Sequence, residues 1–138
     1  MNTMIANLTS RLDSHSSTVL GIFRIVVGFL YAIHGTVHLF GWPVAAGGGA
    51  APVGSWPMWW AGLIELIVGV LVMIGLFTQP AALLGSGAMA YAYFTVHQPK
   101  ALWPIDNGGE LAILYCFALL LLAFTGAGAF AVQGRRHG

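Results

Sequence analysis

Charge is scarce in this sequence: Asp, Glu, Lys and Arg together make up 7% of 138 residues, and the formal net charge is +1. Water-solvated domains carry about a quarter of such residues, so an ordinary soluble domain is excluded. The few lysines and arginines form no cluster before Arg135-Arg136, which excludes a basic surface for nucleic acid. A single cysteine, Cys116, rules out an intrachain disulfide; inside a late apolar run it reads as a small buried hydrophobe. There is no HExxH, no CxxCH and no GxGxxG, so the chain carries no recognisable electron-carrying or zinc-hydrolase motif of its own. Nor is there a convincing signal peptide. Arg11 precedes an apolar run and Val44-Ala45-Ala46 follows it, but the run is too long for a signal and is interrupted by Arg24, His34 and His38.

What the sequence has instead is apolar length. Hydrophobic residues reach 58% and the mean hydropathy is +0.83, the composition of an integral membrane protein. Four apolar segments, at about residues 18–40, 58–77, 81–98 and 109–128, predict an all-α fold: a four-transmembrane-helix bundle with antiparallel neighbours. Residues 1–17 are expected to form a polar tail or a short interfacial helix, and residues 129–138 a C-terminal tail. Gly41-Trp42-Pro43 stops the first span, Pro57 starts the second, and Thr78-Gln79-Pro80 reads as a tight turn between the second and third. Four crossings put both termini on one side. Arg11, Arg135 and Arg136 oppose Lys100 alone, which places that side in the cytoplasm.

The chemistry sits where lipid would reject it. In the first span, positions 24, 28, 31, 35 and 38 fall in one helical stripe, with His34 at its edge. A charged group at mid-helix costs roughly 3 kcal/mol to insert, so Arg24, Tyr31 and His38 must turn towards protein or water. Gly21, Gly28 and Gly35 on the same side leave room for a neighbouring backbone. Glu65, between Gly62 and Gly69, makes an equally inward face on the second span. Counting at about 1.5 Å per residue, His34, His38, Glu65, His97 and Glu110 all fall in the outer half of the bundle, and Arg24 nearer the cytoplasmic side. Glu65 and His34 are the candidate acid–base pair. Arg24, Tyr31, His38, Tyr93, His97, Asn107 and Glu110 are the candidate polar pocket, with Trp59 among its aromatic lining. HxxxH alone is too little to assign a metal. Asn107 three residues before Glu110 also matches a capping box, and the Asn107-Gly108-Gly109 turn offers backbone N–H groups to an anionic or quinone oxygen.

In this order and spacing the sequence resembles the DoxX family of small four-helix membrane proteins. The resemblance is carried by Arg24 with Gly28; His34-Gly35 and Leu39-Phe40-Gly41; Glu65 with Gly69 and Gly75-Leu76-Phe77-Thr78; His97; Asn107-Gly108-Gly109-Glu110; and Gly126-Ala127-Gly128. His38 stands where the family commonly has lysine, and Gln133 where an aspartate often follows the GxG. The resemblance implies a plasma-membrane protein serving a redox system, quinone-linked or tied to oxidative stress, in contact with other membrane subunits or with copies of itself. If it is an enzyme, the resemblance implies a quinone-linked oxidoreductase subunit. The alternatives are a non-catalytic accessory subunit of a larger membrane complex and a small proton or solute transporter.

Overall fold

In the computed structural model, which describes residues 2–133, every regular element is helical. Helix α1 (Asn2–Ser14) is followed at once by α2 (Ser16–Phe40); then come α3 (Met58–Ile74), α4 (Thr78–Ala92), the one-turn α5 (Pro104–Asn107) and α6 (Glu110–Thr125). Where a tail or an interfacial helix is expected before residue 18, the chain forms α1, which buries none of its residues. Arg135 and Arg136, which weigh on orientation, lie outside the described residues.

Glycines set the limits of the long helices. Gly41 takes the left-handed conformation at the end of α2 and returns its N–H to the Val37 carbonyl. Gly75 does the same after α3, with its N–H on the Leu71 and Val72 carbonyls. This corrects the expected turn at residues 78–80. The reversal is made by Gly75-Leu76-Phe77, and Pro80 sits in the first turn of α4, where a missing N–H costs nothing. At its other end α4 runs on through a π-helical turn, Tyr93–His97.

Helices α2, α3, α4 and α6 close a ring. Helix α2 packs on α3, α3 on α4, α4 on α6, and α6 back on α2. Neighbours run antiparallel: Gly35 faces Leu66 while Gly28 faces Met73, and Ser86 bonds to Cys116 while Gln79 bonds to Ala123. A Cβ on Gly28 would stand 2.8 Å from the Gly69 carbonyl oxygen, so α2 and α3 touch backbone to backbone. Tyr31, Val68, Val72, Leu119 and Leu122 fill the centre.

Polarity is reversed relative to a water-soluble bundle. Arg24 (0% exposed), Glu65, Ser86 and Asn107 are inside, while Phe29, Leu83, Leu114, Phe117 and Phe124 (80% exposed) face out. An apolar surface of this extent marks a membrane-facing or protein-contacting exterior. By length and composition α2 alone is long enough to cross a bilayer among the described residues; α3 and α6 are shorter apolar helices.

The segment after α6 returns beneath the ring. Arg24 donates through Nη2 to the Ala129 and Phe130 carbonyls at 3.1 and 2.9 Å. The Ala129 N–H bonds to the Ser17 carbonyl, those of Val132 and Gln133 bond to the Ile74 and Gly75 carbonyls, and Gln133 Oε1 accepts the Phe77 N–H. Start of α2, turn of α3–α4 and exit of α6 are thereby tied together.

Candidate functional site

At the end of the ring opposite Arg24 lies a cavity of about 960 Å³. Its inner wall is polar. The stripe on α2 contributes Tyr31, His34 and His38, α3 contributes Glu65 and α6 contributes Tyr115. Apart from Thr95 and His97 the rest is apolar, formed by flanks of α3, α4 and α6 and, at the mouth, by Trp56, Trp60 and Tyr91.

Glu65 is 5% exposed, and its Oε2 meets His38 Nδ1 at 2.9 Å. Sequence spacing makes this contact reachable: Gly35 and Gly62 draw the helices together one turn away, so that side chains at 38 and 65 span the seam. A carboxylate this buried needs such a partner, because an unpaired charge costs several kcal/mol in a low dielectric. The partner is His38. His34, the other half of the expected acid–base pair, lines the same cavity with its ring edge-on to Tyr115, centroids 5.5 Å apart, and 6.4 Å from the His38 ring. Tyr31 packs against Tyr115 at 5.5 Å and donates a long bond, 3.4 Å, to the Gly85 carbonyl.

The other expected pocket residues divide. His97 lines the cavity and holds the Asn107 carbonyl through Nδ1 at 3.2 Å. Tyr93 and Asn107 stand behind it as a brace. Asn107 Nδ2 donates to Tyr93 Oη and to the Ala101 carbonyl, and its Oδ1 accepts the Gly109 N–H at 2.8 Å. The Gly109 N–H is therefore already taken, and the capping box expected with Glu110 is replaced by this Asx turn, because Asn107 belongs to α5 and Gly109 caps α6. Glu110 is exposed and outside the cavity. Arg24 is outside it too, spent on the carbonyls beneath the ring, and its Nε and Nη1 have no hydrogen-bond partner among the described residues. Trp59 turns away, its ring edge-to-face with Trp60.

Tyr115 is the residue that sequence reasoning passed over. Its signal was present: a lone hydroxyl-bearing residue in the run LAILYCFALLLL, on the stripe of Ala112, Leu119 and Leu122 that is buried. Among the described residues no three His, Cys, Asp or Glu side chains gather as a metal would require. What the arrangement can do is present hydrogen-bonding and proton-exchanging groups at the inner end of an apolar chamber.

The model of the DoxX family matches residues 19–98, which contain every cavity residue contributed by α2, α3 and α4 but not Tyr115. A protein of Haemophilus influenzae described as uncharacterized is 39% identical over 129 residues, covering 91% of this chain and 96% of that one. No solved structure matches.

Proposed function

The chain belongs to the DoxX family, and from that premise we propose that it is a four-span plasma-membrane protein, both termini cytoplasmic, whose cavity holds a quinone head for a membrane redox system. The observation that carries this reading is the pair of half-buried His38 and buried Glu65 at the polar inner end of a largely apolar cavity. With Nδ1–H donated to the Glu65 carboxylate, the imidazolium form of His38 has its Nε2–H left to donate to a ligand carbonyl. Tyr31 and Tyr115, packed against each other, bound the inner end of the same space.

Reducing a quinone takes up electrons and protons in equal number. The sequence carries no recognisable electron-carrier motif, so in this reading electrons come from a partner subunit. Its own groups orient the head and hand over protons through His38 and Glu65. Helices α3 and α6, of 17 and 16 residues, reach about 25 Å each, close to a hydrocarbon core of about 30 Å. Helix α4 and its π-helical extension make a fourth crossing of similar reach.

The test is a titration of the purified protein in lipid nanodiscs with menadione, read by quenching of tryptophan fluorescence, since Trp56 and Trp60 line the mouth. Saturable quenching is expected. Hydrogen bonds to charged groups contribute about 1.5–3 kcal/mol, so His38→Phe and Glu65→Gln each weaken binding about tenfold or more. Unsaturable quenching, identical in wild type and both variants, overturns the proposal.

A further inference from the structure

The cavity is a wedge between α3 and α4, and its shape says how a ligand gets in. At the Arg24 end the two helices are in contact: a Cβ on Gly85 would stand 2.9 Å from Val68 Cγ1, and Val72, Ala81 and Ala82 are all buried there. Towards the other end they part. Glu65 and Ile64 on α3 and Ala88 and Tyr91 on α4 line the space between them, and the Trp56 and Tyr91 rings meet edge-to-face across the top with centroids 6.4 Å apart. Below that aromatic bridge the flank of α4 turned away from α6 is open. Gly87 lines the cavity and has no atom within 4 Å of where a Cβ would stand, and Leu84 beside it is 57% exposed. On α4 the lining of this open flank runs from Pro80 past Leu84 and Gly87 to Tyr91, about 16 Å along the helix.

Building on the quinone reading above, we infer that this opening is a lateral portal to the lipid, and that Gly87 is its sill, over which the isoprenoid tail of the bound quinone leaves the protein. The opening is continuous with the polar inner wall, so a molecule whose head reaches His38 and Glu65 must place anything attached to that head along Leu84, Gly87 and Tyr91. These walls carry no charge and suit a hydrocarbon chain. The volume agrees: about 960 Å³ is at the upper end of the range for small-molecule sites and exceeds what a bicyclic head fills. Glycine is the one residue that leaves the sill empty.

A tail moving from lipid into an apolar groove gains little, since both surroundings are equally apolar. Wild-type protein therefore binds menadione and its phytyl-tailed counterpart, phylloquinone, with comparable affinity on a mole-fraction scale. The experiment is the same nanodisc titration with both quinones on the full chain and on Gly87→Phe, with Gly87→Leu as a second block carried by a strong helix former. Filling the sill should weaken phylloquinone about tenfold or more and leave menadione within about threefold. If the two quinones fall together, or neither changes, the portal is elsewhere and the inference is wrong; it is equally wrong if wild type takes menadione and refuses phylloquinone. Failure of wild type to bind menadione would instead remove the quinone reading on which the portal rests.

Discussion

Replacing Gly69 by alanine and comparing it with the same change at Gly87 isolates the packing of the α2–α3 seam. A Cβ on Gly69 would stand 2.6 Å from the Ala32 Cα and 2.8 Å from its Cβ, whereas a Cβ on Gly87 meets nothing within 4 Å. Carbon atoms rest at about 3.5–4.0 Å, so the two backbones must part by on the order of 1 Å to admit the methyl group. Overpacking of this kind costs about 1–3 kcal/mol. Both substitutions gain the same helix propensity, about 1 kcal/mol, and this cancels in the comparison. Gly87→Ala is therefore expected to stabilise by up to about 1 kcal/mol, and Gly69→Ala to be about 1–3 kcal/mol less stable than Gly87→Ala. Reversible unfolding by SDS in mixed micelles, followed by circular dichroism, measures the gap. A Gly69→Ala protein as stable as Gly87→Ala would refute the close seam and the register it imposes.

Asn107→Ala removes three hydrogen bonds that brace the turn into α6, at about 1 kcal/mol each, and should speed amide exchange at Gly109 and neighbouring residues; unchanged exchange there refutes the brace. Gln133→Ala takes the acceptor from the exposed Phe77 N–H, a loss of about 0.5–1.5 kcal/mol seen as faster exchange at that amide, and no change would deny the contact. Arg24→Met surrenders its bonds to the Ala129 and Phe130 carbonyls but also removes a buried cation with no carboxylate beside it among the described residues, so exchange at Ala129 and Val132 should rise while overall stability falls by less than about 3 kcal/mol; a protected Ala129 amide would count against it. In a Cys116→Ala background, Ser10→Cys should react with an impermeant maleimide only from the cytoplasm and Val53→Cys only from outside; labelling of both from one side would overturn the four-span topology.

Much of this architecture was legible because polar groups and glycines in long apolar helices have few places to go. Gly28, Gly35 and Gly69 announced a close seam, and Arg24, Tyr31, His38 and Glu65 announced inward faces, since none of them tolerates the alternative. Helical phase and depth cannot say which of two histidines one turn apart meets a carboxylate on the next helix. The choice of His38 over His34 follows from the rotation of α2 against α3, fixed by where the glycines touch. Depth did separate Arg24 from the outer groups, but its carbonyl partners were illegible, because Ala129 and Phe130 bond through backbone that any sequence supplies. The turn after α3 was readable and was read late. Gly75 as a left-handed stop and Pro80 inside a first helical turn place the reversal three residues earlier than the polar Thr78-Gln79 pair suggests.

The stitching beneath the ring has a consequence for how the protein is made. Residue 24 waits for carbonyls 105 and 106 positions downstream. The early helices can pair as soon as they have left the ribosome, yet the knot that fastens them is supplied only after α6 has been made. Until then the guanidinium lacks both of these acceptors, so the half-made ring holds a cation whose lasting partners are still to come.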